Sequence, residues 1–162
     1  MRQIELELTE QSLSSELLIL FAMFESSCLC GMNRLSFEGD IIVRMRCHCI
    51  DCRKFSGSTN TNNILLPLSG FKVLQGTLKT YAKEAATGNV MTSYFCGDCG
   101  STLYRRSSFN DTVAAVMIGG VDGLETIEKG KADVELFVKN RPSWMRAIEG
   151  ANQEQGTWLP KH

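Results

Sequence analysis

The seven cysteines constrain this chain more than any other feature. They fall into three groups with short spacings: Cys28-Leu-Cys30, Cys47-His-Cys-Ile-Asp-Cys52 and Cys96-Gly-Asp-Cys99. An odd number of cysteines argues against a closed disulfide framework, and clustered cysteines in a reducing compartment hold metal ions. Zinc takes four thiolate or imidazole ligands, and two ligands from one tight turn reach one ion. We therefore expect a zinc protein in which metal ligation joins distant parts of the chain.

The composition predicts one all-β domain. The chain has 162 residues, of which 43% are hydrophobic, and this suits a single globular unit with its own core. Fourteen glycines separate short apolar runs, a pattern typical of strands joined by turns. Strands are predicted over 41–46, 64–68, 71–74, 78–81, 91–95, 102–104, 113–118 and 134–138, and a helical turn over 142–148.

The two ends of the chain are predicted to lie outside this domain. We divide the sequence into an N-terminal appendage (1–26), a zinc-binding domain (27–150) and a C-terminal tail (151–162). The appendage combines an alternating stretch at 4–8 with apolar residues on one helical face at 13–24, which predicts a short strand followed by a helix. The helix is expected to pack on the domain; contact with a second copy in a homodimer, or with lipid, is the alternative.

Charge and hydropathy exclude several classes of protein. The net charge of -1 and the pI near 6.1 do not favour nucleic acid as a partner. The first ten residues are acidic, unlike a secretory leader, and the apolar run at 17–24 is too short to span a membrane. A cytoplasmic protein is therefore expected.

Spacing favours a division of the cysteines into four and three. The two outer pairs, each next to glycine, supply the thiolates of a closed structural zinc site: Cys28, Cys30, Cys96 and Cys99. Cys47, Cys49 and Cys52 supply three ligands and leave a fourth position open, as in catalytic zinc sites. In an extended stretch His48 points away from Cys47 and Cys49, which makes it a poor fourth ligand. Spacing alone also allows Cys28 and Cys30 to pair with the central group.

Basic residues surround the central group. Arg44, Arg46, Arg53 and Lys54 lie close to it in sequence, and only Asp51 opposes them. They are candidates to hold the carboxylates of a peptide-like substrate, or they balance the charge of three thiolates on one ion. The following Ser56-Gly57-Ser58 predicts a turn, with an anion-binding nest as the alternative.

Several segments together resemble the glutathione-dependent formaldehyde-activating enzyme family. They are Cys28-Leu-Cys-Gly31, Cys47-His-Cys-Ile-Asp-Cys-Arg-Lys54 with Ser56-Gly57, Phe95-Cys-Gly-Asp-Cys-Gly-Ser101 and Phe137-Val-Lys-Asn-Arg-Pro-Ser-Trp144. The resemblance covers about residues 27–150. It implies an Mss4-like all-β fold with two zinc ions per chain, a structural one on the outer pairs and a second on the central trio.

The resemblance also implies carbon–sulfur lyase chemistry that joins formaldehyde to glutathione as S-(hydroxymethyl)glutathione. On this chain the catalytic centre would be Cys47, Cys49 and Cys52, with His48, Asp51 or a water moving the proton. Arg46 and Arg53 are the candidates for holding the bound thiol. The alternative is a non-catalytic zinc module of the centromere-protein type, which the five acids and single arginine of residues 1–27 disfavour. A GTPase-partner or chaperone role rests on fold analogy alone.

Overall fold

The computed structural model describes residues 23–157. The strand predicted over 4–8, the helix predicted over 13–24 up to residue 22, and His162 lie outside the described residues. The end of that helix was predicted wrongly, because Met23 and Phe24 belong to a β-strand. The described part forms eleven strands: β1 (Met23–Ser27), β2 (Arg34–Glu38), β3 (Val43–Cys47), β4 (Thr61–Pro67), β5 (Phe71–Gln75), β6 (Leu78–Glu84), β7 (Val90–Cys96), β8 (Thr102–Ser107), β9 (Asn110–Met117), β10 (Val134–Leu136) and β11 (Asn152–Glu154). It also forms two short helices, α1 (Ile50–Ser56) and α2 (Leu124–Glu128). The all-β prediction is confirmed.

The strands form two sheets. One has three antiparallel strands in the order β1-β2-β5, and the other has eight strands in the order β11-β10-β3-β4-β9-β8-β7-β6. Strand β10 pairs in parallel with both β11 and β3, and all other strand pairs in the larger sheet are antiparallel. Within the described residues, paired strands run from Met23 to Glu154, and the domain bounds of 27–150 stay a prediction.

The main core lies between the two sheets. Leu35 and Phe37 of β2 are fully buried against Ile64 of β4 and Val116 of β9. The ring of Tyr104 stacks on the ring of Tyr94, with centroids 4.3 Å apart. Each large apolar side chain buried in this way contributes about 1.5–3 kcal/mol. We call the face of the larger sheet that packs here the inner face.

The opposite, outer face of the larger sheet carries the central cysteines. Because side chains alternate along a strand, Met45 and Cys47 lie on the outer face whereas Arg46 lies on the inner side. The strand register places Leu65, Ala115 and Arg105 side by side on the outer face. A second, smaller apolar cluster forms here around Val43, Cys47, Cys52, Val134 and Leu136.

Two local elements differ from the sequence prediction. Helix α1 begins directly after Cys49, whose sulfur accepts a hydrogen bond from the Cys52 amide at 3.3 Å and caps the helix. The segment 142–148 has a single turn, closed by a hydrogen bond from the Met145 amide to the Pro142 carbonyl at 2.9 Å, in place of a helical turn. None of the helices in residues 23–157 has the length and apolar character needed to cross a membrane.

Candidate metal centres and the neighbouring cavities

Four cysteines from two distant loops meet in one cluster. Cys28 and Cys30 follow β1, whereas Cys96 ends β7 and Cys99 lies in the loop before β8. Their four sulfur atoms lie within 4.8 Å of one another. The sulfur of Cys30 is 3.5 Å from that of Cys28 and 3.7 Å from that of Cys96. Four sulfurs around a tetrahedral zinc at about 2.3 Å are about 3.8 Å apart, so the cluster fits zinc.

The backbone around this cluster is shaped by glycine. Gly31 has φ +74° and Gly100 has φ +75°, the left-handed region that glycine enters at little cost. The Gly31 amide donates to the Cys28 carbonyl at 2.9 Å, and the Gly100 amide donates to the Cys96 carbonyl at 3.0 Å. The Asn33 amide donates to the Cys28 sulfur at 3.2 Å. Each tight turn thus brings its two sulfurs together, and the Asn33 amide is directed toward a sulfur of the first pair.

The remaining three cysteines form a second cluster. Cys47 ends β3, Cys49 caps α1 and Cys52 lies in the first turn of α1, so one strand-to-helix junction supplies all three. Their sulfur atoms lie within 4.8 Å of one another. The seven sulfurs therefore form clusters of four and three. Each could hold a metal ion, and thiolate ligands are consistent with zinc.

The thiols of the second cluster differ strongly in pKa. Hydrogen bonds from Cys47 and Cys52 lower the pKa of Cys49 to about 2. The hydrogen bond to Cys49 in turn raises the pKa of Cys47 far above its usual value. Three adjacent sulfurs cannot all be thiolates unless a cation offsets their charge. Metal binding at such a site therefore releases protons.

His48 lies on the other side of the junction from these sulfurs. It is fully buried, and its Nε2 lies 2.8 Å from the Glu135 carboxylate. Its Nδ1 is buried and has no hydrogen-bond partner among the described residues. A role for His48 in moving a substrate proton stays a prediction; the contacts seen are those of a residue that positions the loop between β3 and α1.

Glu135 is the centre of this buried network. Burial alone raises the pKa of its carboxyl, but the Ile148 amide, His48, Arg141 and Gln153 all hydrogen-bond to it and together lower the pKa to about 2. The Arg141 Nη1 lies 3.2 Å from the carboxylate. The network therefore joins the strand-to-helix junction to the chain around residues 141–153.

The basic residues near the second cluster in sequence have other partners or face solvent. Arg44 pairs with Asp133 at 3.5 Å, and the Arg46 Nε donates to Asn62 at 3.1 Å. Arg53 lies exposed on α1, as does Lys54. Binding of a substrate by Arg46 or Arg53 stays a prediction. Ser56-Gly57 forms the end of α1, where Gly57 has φ +63°.

Arg105 is the basic residue that the structure brings to the second cluster. Its side chain is 8% exposed, and its Nη1 lies 4.0 Å from the Cys52 sulfur. Its Nε donates to Ser93 at 3.0 Å, and its guanidinium lies over the Phe55 ring, 4.4 Å from the centroid. Arg105 was not among the predicted site residues, because the predicted strand over 102–104 stops before it and no local pattern in the sequence links it to Cys52.

Two cavities lie near the second cluster, and none of its three cysteines lines either of them. A groove of about 850 Å³ runs from Cys28 of the first cluster past Phe55 and Thr61 and is lined largely by serine, threonine, asparagine and glycine. A cavity of about 440 Å³ lies on the outer face and meets the cluster at Arg105 and Leu136. We call the first the polar groove and the second the apolar cavity, whose apolar walls are formed by Met45, Leu65, Met91, Val113, Ala115 and Leu136.

The fold and the two sulfur clusters define a β-sheet protein with candidate thiolate metal sites. A family model described as glutathione-dependent formaldehyde-activating enzyme matches residues 23–140, so the chain belongs to that family. A crystal structure of a Rhodobacter sphaeroides protein has the same fold with a TM-score of 0.53 and 20% identity; the match covers 67% of this chain and 96% of that one. No curated protein matches the sequence.

Proposed function

We propose that this protein is a carbon–sulfur lyase that joins glutathione to formaldehyde, or cleaves the adduct, at the cluster of Cys47, Cys49 and Cys52. In this proposal the chain holds two zinc ions. The one on Cys28, Cys30, Cys96 and Cys99 is structural, and the one on the central trio is catalytic. Family membership supports the reaction type.

The observation that carries the proposal is the three-cysteine cluster, whose sulfur atoms lie within 4.8 Å of one another. Among residues 23–157 the cluster supplies three thiolates, one short of the usual four ligands, and so leaves a position for a substrate ligand. The polar groove is lined by Thr61, the strand partner of Cys47, and the apolar cavity is lined by Arg105, whose Nη1 lies 4.0 Å from the Cys52 sulfur. A reaction between two substrates needs both held next to one reacting atom, and this arrangement supplies two approaches.

A zinc ion bound here would supply Lewis acidity and favour the thiolate form of the substrate sulfur. The hydrogen-bonding walls of the polar groove suit a peptide thiol such as glutathione. Arg105 adds a fixed positive charge beside Cys52, which favours negative charge on the reacting groups.

The overall reaction is an addition without redox change. The glutathione sulfur forms a bond to the aldehyde carbon, the carbon–oxygen double bond becomes single, and the thiol proton ends on that oxygen. His48 is buried against Glu135 and, in this proposal, acts as a positioning residue. Asp51 is paired with Lys83 across the outer face. Neither side chain is required to touch the substrate.

The direct test is exchange NMR spectroscopy of glutathione mixed with formaldehyde. We expect the wild-type protein to speed interconversion of free thiol and adduct, and Cys52→Ser to abolish the effect. Ser58→Ala, an exposed change in the loop after α1, should leave the rate unchanged. If the wild-type protein gives no acceleration, formaldehyde is excluded as the electrophile, whereas lyase chemistry on another electrophile is not.

A further inference from the structure

We propose that the apolar cavity binds the hydrocarbon chain of an aldehyde larger than formaldehyde, and that Arg105 holds the aldehyde oxygen. This inference rests on the proposed function and names the electrophile of the same site. It assigns a substrate class, aldehydes with an apolar chain of several carbons, and a further catalytic residue.

The size and lining of the apolar cavity support a larger electrophile. Formaldehyde has one carbon and one oxygen and would leave nearly all of the 440 Å³ unfilled. Met45, Leu65 and Ala115 form the sheet side of the cavity, and strand register places all three on the outer face. Transfer of a methylene group from water to such walls favours binding about fourfold.

The surroundings of Arg105 support its role toward an oxygen. Ser93 and the Phe55 ring fix the guanidinium from two sides, and Nη1 faces the Cys52 sulfur. No carboxylate among residues 23–157 pairs with Arg105, although its side chain is buried. Because the residue also lines the apolar cavity, its remaining donors are available to a ligand there.

The step itself balances without another reactant. As the thiol sulfur adds to the aldehyde carbon, the electron pair of the carbon–oxygen π bond moves to oxygen. Arg105 donates a hydrogen bond to this oxygen and keeps its own protons, and the proton lost by the thiol completes the hydroxyl group. A fixed cationic donor in a water-poor site stabilises such developing charge more than water does.

The first test is binding of unreactive adduct analogues, measured by calorimetry. S-butylglutathione carries three methylenes more than S-methylglutathione, and we expect it to bind up to about 50-fold more tightly. Ala115→Leu, which fills the cavity, should remove this preference, whereas Ala82→Leu at an exposed position of β6 should keep it. Equal binding of the two analogues, or a preference that survives Ala115→Leu, overturns the proposal.

The second test separates the oxygen contact from packing. Arg105→Gln should lower the rate of adduct exchange with butanal by about 100-fold or more, while binding of S-butylglutathione changes less than twofold, because a thioether has no such oxygen. Arg105→Lys keeps the charge and should recover part of the rate. If the glutamine variant does not fold, the same comparison of rate and analogue binding is made with the lysine variant. Equal losses in rate and in analogue binding would show a structural role only.

These outcomes are distinct from failure of the proposed function. If formaldehyde exchange is accelerated but butanal exchange is not, the lyase proposal stands and the larger electrophile is wrong. If neither aldehyde is accelerated and neither analogue binds, the proposed function itself fails.

Discussion

At the scale of single residues, His48 and Glu135 form a buried pair that depends on hydrogen bonding to offset the cost of burying a carboxylate. Both side chains are fully buried, and the carboxylate is held by Arg141, Gln153 and the Ile148 amide as well as by His48. A buried carboxylate is costly unless it is fully hydrogen-bonded, and this one has several donors. The network fixes the junction from which Cys47 and Cys49 project.

We predict that Glu135→Gln lowers the free energy of unfolding at pH 7 by about 3 kcal/mol, the equivalent of a pKa lowered from 4.5 to about 2. Because the folded-state pKa is depressed, this stabilisation is present above pH 4.5 and is lost as the pH falls toward 2. Urea unfolding of both proteins from pH 7 to pH 3 should show their difference shrinking.

The control for this prediction is Glu38→Gln, which removes an exposed carboxylate paired with Lys72 at 2.6 Å. Exposed ion pairs contribute little, so its effect should stay within about 1 kcal/mol at either pH. A Glu135→Gln difference that does not change with pH would mean that packing, rather than the ionised carboxylate, carries the contribution.

At the scale of elements, the turn between β5 and β6 is packed against the four-cysteine cluster. Gly76 has φ +83°, and a Cβ placed there would lie 2.2 Å from the Met32 carbonyl oxygen and 2.5 Å from Asn33 Oδ1. The Asn33 amide in turn donates to the Cys28 sulfur. This turn thus needs glycine both for its backbone angle and for the close approach.

We predict that Gly76→Ala destabilises the protein by more than 2 kcal/mol and weakens zinc retention, because either the turn or the Asn33 segment must move. Gly88→Ala is a matched control, since Gly88 has a similar φ of +80° but nothing within 4 Å of the added Cβ. It should cost only about 1–2 kcal/mol, the backbone penalty alone. Urea unfolding and zinc titration measure both effects; equal losses would contradict the close-approach explanation.

At the scale of the whole molecule, the four-cysteine cluster joins the two sheets. Cys28 and Cys30 follow β1 of the smaller sheet, whereas Cys96 and Cys99 belong to the β7–β8 connection of the larger one. The three-cysteine cluster, by contrast, comes from one short stretch of chain on the outer face. Loss of a metal ion from the first cluster would therefore remove a link between the two sheets and leave only their shared core, whereas loss from the second would loosen only one junction.

We predict that Cys99→Ser lowers the thermal midpoint by more than about 10 °C and that Cys52→Ser lowers it by about 5 °C or less. If the wild-type protein holds two zinc ions, as proposed, each variant should retain about one. Metal analysis and thermal unfolding by circular dichroism test both values. A Cys52→Ser variant that unfolds as readily as Cys99→Ser would make the central cluster structural and weaken the lyase proposal sharply.

The sequence was enough to predict the strand-rich fold, the positions of most strands and the grouping of the cysteines. These features are local: alternation along a strand and the short spacing of Cys28 and Cys30, or of Cys96 and Cys99, are visible in a few residues. It missed helix α1, because the cap is a cysteine sulfur that accepts the Cys52 amide and cysteine is an uncommon cap.

The surroundings of the central cluster, by contrast, could be identified only from the folded chain. Sequence distance favoured Arg46 and Arg53 as its basic neighbours, but alternation turns Arg46 to the other side of β3, and the contact with Cys52 comes from Arg105 on β8. The pairing of His48 with Glu135 likewise joins residues far apart in the chain. Such contacts depend on strand order and register, which no local pattern in a single sequence records.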